Sequence, residues 1–131
     1  AFSNTILDAE HAMARSLGGY LNLPHGECNA LLLEHVIRFN MHAAIDRYRQ
    51  IGDAMGLYMH GMNEAACAKL ITEKLASLRR NIGIADNLGR RGVRTADIPD
   101  LAGHAYHDAC LVTNPRRTRR EDIEILYAEA L

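Results

Sequence analysis

The sequence predicts an all-α fold, a multi-helix domain of about six helices. Three observations carry this expectation. Of 131 residues 48% are hydrophobic, yet aromatics make up only 5% and Trp is absent, whereas strands favour aromatic and β-branched side chains. Ala, Leu, Met and Arg, all good helix formers, dominate instead, and only three prolines interrupt the chain. The apolar residues also recur three and four positions apart rather than in strict alternation.

Length and charge narrow the function classes. A chain of 131 residues is one domain's worth and can bury roughly two-thirds of its unfolded surface. The formal net charge of −1 argues against a nucleic-acid binder, whose footprint is strongly basic. No apolar run reaches about 18 residues, so no membrane span is expected. No basic stretch precedes an apolar one, so no secretory leader is expected either, and the chain reads as cytoplasmic. It opens on Ala1 rather than Met, which is compatible with a piece of a longer protein. Cys28, Cys67 and Cys110 are odd in number and form no CxxC pair, so they read as buried small hydrophobes in a reducing compartment.

The elements follow in order. A first helix over 3–17 opens on the candidate caps Ser3, Asn4 and Thr5 and is expected to stop at Gly18-Gly19. Residues 20–27 read as a turn centred on Pro24-His25-Gly26. The run 28–39 is apolar almost all round, with Glu34, His35 and Arg38 on one stripe, so it belongs mid-domain. Ala44, Tyr48, Ile51 and Met55 keep helical spacing up to Gly56. Asn63 caps a helix striped by Cys67, Leu70, Ile71, Leu75, Leu78 and Ile82, ending at Gly83. A charged connector spans 85–94. Another helix is expected over 98–112, with Pro99 tolerable in its first turn and Asn114-Pro115 as its break. Thr118 and Glu121 have the spacing of a capping box, before Ile123, Leu126, Tyr127 and Ala130.

Seven histidines offer several candidate sites. His104 and His107 are three apart on a predicted helix, but two imidazoles alone make a weak site, and a hydrogen-bonded or solvated pair is the expectation. His42 and His60 lie near predicted helix ends, and His35 reads as a satisfied core histidine. His11 and His25 differ in context. A turn between them can fold the second imidazole back beside the first, and imidazole suits divalent iron or zinc. Fourteen residues across a turn is nevertheless a loose constraint. Glu27 reads as a solvated or capping carboxylate. Arg116, Arg117, Arg119 and Arg120 crowd four guanidinium groups into five residues and read as a solvated helix entrance, with Arg116 anchoring the last helix.

Longer motifs add a resemblance. His11-Ala-Met-Ala-Arg-Ser-Leu-Gly-Gly-Tyr20, then Asn22-Leu-Pro-His25-Gly26 and Asn29-Ala-Leu-Leu-Leu33, resemble the signature of the iron-containing (group III) alcohol dehydrogenases. Asp108-Ala-Cys110, Thr113-Asn-Pro-Arg116 and Thr118-Arg-Arg-Glu-Asp122-Ile123 are similar to later stretches of that family. The likeness covers essentially the whole chain.

The resemblance implies a two-domain enzyme of which residues 1–131 are the single helical, metal-binding domain, the N-terminal dinucleotide-binding domain being absent. It implies Fe(2+) or Zn(2+) held by one Asp and three His, with His11 and His25 matching the last two ligands. The metal is a Lewis acid for the alcohol oxygen while hydride passes to NAD(P). The implied partners are the cofactor-binding domain and a small alcohol or aldehyde. One residue departs from the pattern: Arg15 stands where the family usually has a further His, and a guanidinium stays protonated and cannot relay a proton. No Gly-rich phosphate turn follows a strand, so the chain alone is expected to be inactive. An apolar face that the missing domain would cover predicts self-association. The alternative is a non-catalytic helical assembly or partner-binding module derived from such an enzyme. A zinc-dependent glycerol-dehydrogenase relative fits the motifs less well.

Overall fold

The computed structural model describes residues 8–131. The chain runs α1 (Asp8–Leu21), α2 (His25–Asn40), α3 (Ile45–Ala54), α4 (Glu64–Asn81), α5 (Ile98–Tyr106) and α6 (Arg120–Ala130). Short 3-10 turns lie at Met41–Ala44, Gly89–Arg91, Thr95–Asp97 and Ala109–Thr113, and no strand occurs among the described residues. The all-α expectation is met. The caps expected at Ser3, Asn4 and Thr5 lie outside the described residues.

The first corner of the fold differs from the sequence reading. Gly18-Gly19 does not end α1, which continues to Leu21. Two interior glycines cost a helix about 1 kcal/mol each, and tertiary contacts outweigh that here. Leu17 is fully buried, Ser16 Oγ donates to the Leu101 carbonyl at 2.8 Å, and Tyr20 donates to Asp97 Oδ1 at 2.8 Å. The chain reverses at Asn22, whose φ of 55° lies in the left-handed region that Asn tolerates better than most residues. The turn is therefore 22–24, not 20–27, and His25 is the first residue of α2 rather than the middle of a turn. Pro24 precedes the helix with its fixed φ, and its carbonyl accepts from the amides of Glu27 and Cys28, each at 3.1 Å.

α2 then buries apolar side chains along its whole length, as its composition requires. Leu31, Leu32 and Val36 join Met13 and Leu17 of α1, Leu101 of α5 and Tyr127 of α6 in one apolar cluster. Ile37, near its far end, belongs to a second cluster with Met41, Tyr48 of α3, Met59 and Cys67 and Ile71 of α4. Within that second cluster Gly52 of α3 lies against the end of Met59: a β-carbon there would stand 2.4 Å from Met59 Cε, so that side chain would have to shift.

The cap at Asn63 is as expected, its Oδ1 accepting from Ala66 N at 2.8 Å. The α4 stripe fails only at its end, where Leu78 and Ile82 are exposed. Connector 85–94 is pinned by Arg79, which donates to Glu34 and to the carbonyls of Ile84 and Asp86, and by Arg91, which pairs with Asp86 and Glu27. Leu88 and Val93 are thereby buried in the first cluster.

Two further expectations shift. The helix expected over 98–112 breaks after Tyr106, because Asp108 leaves helical geometry and accepts from Cys110 N at 2.8 Å, starting a new turn. The capping box of the last helix moves one residue on. Arg119 N donates to Asp122 Oδ2 at 2.9 Å, while Thr118 is taken up by Arg116 O and Asn114 instead. No helix of the described residues is long and apolar enough to cross a membrane.

Candidate metal centre

The corner between α1 and α2 brings His11 and His25 together. Their rings stack with centroids 6.4 Å apart and planes only 9° from parallel. His11 stands in the first turn of α1 with its side chain 30% exposed, and His25 opens α2 and is exposed. Both imidazoles thus ride on helices joined by a three-residue link, not on a mobile turn. Two imidazole nitrogens at about 2.0–2.1 Å from one ion are compatible with that ring separation. Neutral imidazole is also a proper donor for iron(II) or zinc. The donor types fit such an ion, but two ligands fall short of the four that a closed site takes. No group of three or more His, Cys, Asp or Glu able to hold a metal exists among the described residues.

Glu10 lies directly behind this pair. Its side chain is buried, and burial alone pushes its carboxyl up to about 8. Oε2 lies 3.7 Å from Nδ1 of His11, and Oε1 has no hydrogen-bond partner. The sequence reading passed over this residue. Its one signal was an acid immediately before a candidate ligand on an otherwise apolar helix face.

Arg15 stands one turn after His11 on the same side of α1, where residues four apart are neighbours. Its Nη1 lies 3.4 Å from Asp108 Oδ1 and 3.3 Å from Cys110 Sγ. Ala12, Arg15, Ser16, Tyr20, His104 and Asp108 line a cleft of about 420 Å³. His104 therefore faces this cleft, whereas His107 leaves α5 at its C-terminus and meets Tyr106 edge-on at 5.5 Å. The two do not act as a pair.

The other candidates take structural positions. His42 Nδ1 lies 2.8 Å from Glu64 Oε2 at the surface, and His60 packs near Tyr58. His35 is not the satisfied core histidine expected: its Nδ1 is buried without a partner, and burial holds its pKa below the ordinary value. Glu27, its side chain still 36% exposed, is not a cap but the partner of Arg91. The four arginines are exposed at the entrance to the last helix, as expected, and three of them make separate contacts there. Arg116 stacks 4.0 Å over the Phe39 ring and donates to its carbonyl, Arg119 reaches Asp122, and Arg120 donates to the Pro99 carbonyl. All three cysteines are free thiols, with Cys28 and Cys67 buried.

The Fe-containing alcohol dehydrogenase family, C-terminal region, matches residues 1–131. Lactaldehyde reductase of Escherichia coli is 42% identical over 129 residues, covering 98% of this chain and 34% of its own length. The 1,3-propanediol dehydrogenase of Citrobacter freundii is 37% identical, with 99% and 34% covered. Among solved structures, a 1,3-propanediol oxidoreductase superposes with a TM-score of 0.88 at 33% identity, over 94% of this chain and 32% of that one. An alcohol dehydrogenase from Oenococcus oeni gives 0.87 at 32% identity, over 93% and 32%. The chain belongs to the Fe-containing alcohol dehydrogenase family and corresponds to its C-terminal, all-helical part. It spans about a third of the length of these relatives.

Proposed function

We propose that residues 1–131 form a helical, metal-binding domain of a nicotinamide-dependent alcohol dehydrogenase, with His11 and His25 supplying two of four ligands to Fe(2+) or Zn(2+). The observation that carries this reading is the stacked pair itself: two imidazoles 6.4 Å apart where two helices meet. The ion, when bound, supplies Lewis acidity to the oxygen of a small alcohol or aldehyde. The names of relatives support short substrates and NAD, among them a lactaldehyde reductase, a 1,3-propanediol dehydrogenase and an NAD-dependent methanol dehydrogenase.

The residues of this chain do the positioning. α1 and α2 hold the two imidazoles, and the cleft beside Arg15 and His104 forms part of the substrate pocket. Arg15, always protonated, cannot pass a proton and instead fixes the pocket wall through Asp108. The remaining ligands and the dinucleotide site belong to an N-terminal cofactor-binding domain, the principal partner in this reading. The domain alone is then inactive, and the face turned toward that partner drives self-association.

The test is zinc titration of the chain followed by NMR of the histidine rings, with a parallel assay of NAD(P)-linked alcohol oxidation. Zinc should shift His11 and His25 together, and His11→Ala should abolish the response of His25. No turnover is expected with added ferrous iron or zinc. Unresponsive rings would overturn the ligand assignment, and robust turnover would overturn the inactivity.

A further inference from the structure

Glu10 carries a carboxylate that the fold does not use. It is 2% exposed, and among the described residues its Oε1 makes no hydrogen bond and nothing caps or neutralises it beyond the 3.7 Å approach of Oε2 to His11 Nδ1. The other buried acids are accounted for. Asp8 accepts from Thr113 Oγ1 at 2.6 Å, and Asp97 accepts from Tyr20 and from the Arg94 amide. An orphaned buried polar atom is costly to a fold, and more so when it is charged. Such an atom calls for an explanation, and a functional role is one.

Position supplies the explanation. Successive helix residues project about 100° apart, so Glu10 is enclosed while His11 half-emerges beside His25. Its oxygen nonetheless stands on the Nδ1 side of the His11 ring. The structure assigns Glu10, we infer, as a positioning residue for the metal centre: its carboxyl oxygen Oε2 takes the Nδ1–H of His11 and so turns the Nε2 lone pair toward the ion. This rests on the reading of His11 as a ligand.

A carboxylate behind a ligating imidazole fixes its tautomer and ring orientation and makes the coordinating nitrogen more basic. At 3.7 Å the contact is an ion-pair distance rather than a formed hydrogen bond. A cation on Nε2 polarises Nδ1–H toward Oε2, and a small rotation of either side chain closes the gap.

The experiment is a zinc titration at one pH of the 131-residue chain and of its Glu10→Gln and Glu10→Ala variants. It is read by NMR of the His11 and His25 rings, with thermal unfolding of each apo protein alongside. Both variants should bind zinc about tenfold or more weakly. The zinc-loaded wild type should display an exchange-protected Nδ1–H on His11 that Glu10→Ala loses. Thermal stability should not fall in Glu10→Gln, because a merely structural role would be lost there and an orphaned carboxylate would not be missed. Variants that bind zinc as the wild type does, with the protected Nδ1–H retained, overturn the role of Glu10 alone. A wild type whose His11 and His25 ignore zinc overturns the ligand assignment and this inference with it.

Discussion

Asn40 and Asn114 clasp each other side chain to side chain: Asn40 Nδ2 donates to Asn114 Oδ1 at 2.9 Å, and Asn114 Nδ2 donates to Asn40 Oδ1 at 2.8 Å. Asn114 Oδ1 also accepts from Ala9 N at 3.0 Å, and its Nδ2 reaches the Arg116 carbonyl and Thr118 Oγ1. One buried amide thus ties α1, the far end of α2 and the approach to α6. Asn114→Ala leaves several of these groups buried and unpaired. It is expected to cost about 2–4 kcal/mol in urea unfolding. A double-mutant cycle with Asn40→Ala should reveal coupling of about 1 kcal/mol or more, and additive losses would refute the clasp.

The contact between Gly52 and Met59 gives a packing prediction. Alanine is the better helix former by about 1 kcal/mol, so in an open helix Gly52→Ala would stabilise. Here the new methyl meets the end of Met59, itself 2% exposed, with little room to swing away. Overpacking of this kind costs about 1–3 kcal/mol. Gly52→Ala should therefore lower the unfolding midpoint, and adding Met59→Val should recover more than the sum of the single effects. A stabilised Gly52→Ala protein would mean that Met59 yields freely.

His35 gives a pH prediction. Burial lowers its folded pKa, Glu34 and Glu129 oppose that shift, and Arg38 and Arg79 reinforce it. The unfolded chain titrates near the ordinary value of about 6.5. The unfolded state therefore takes up the proton first as pH falls, so stability is lost below that value and is complete above it. Chemical unfolding at pH 7.5 and pH 5.0 should lose less stability between the two conditions in His35→Asn than in wild type. An identical loss in both would sink the assignment.

Arg15 provides a gain-of-function test. Its link to Asp108 is an exposed pair worth about 1 kcal/mol or less, so replacing it costs little. In Arg15→His a third imidazole stands one turn from His11 on the same side of α1. Zinc affinity should rise by about tenfold or more, roughly 1.4 kcal/mol, with stability nearly unchanged. A variant no tighter than wild type would place residue 15 out of reach of the ion.

Periodicity and local caps made most of this fold legible. The Asn63 cap and the stops at Gly56 and Gly83 rest on interactions within a few residues, and the burial of 28–39 is announced by its own nearly unbroken apolar composition. The errors fall where a distant group decides. Gly18-Gly19 stays helical because Leu17 is buried and Tyr20 is held by Asp97, 77 residues away. Asn114 read only as a helix breaker, since nothing beside it in sequence announces Asn40 or Ala9. At the site, His11 and His25 were found through a long motif rather than through spacing. Glu10 went unnoticed because an acid in a helix is ordinarily solvated, and only the packed structure reveals that this one is not.

α2 is a member of both apolar clusters, and α3 and α4 lean on the rest of the chain chiefly through it. For a protein engineer this makes one helix a mounting rail. The pair bolted to its far end, residues 45–81, can be exchanged for another helical pair as long as the guanidinium of Arg79 is kept, because its reach to Glu34 and to the carbonyls of Ile84 and Asp86 straps that end to the cluster behind His11.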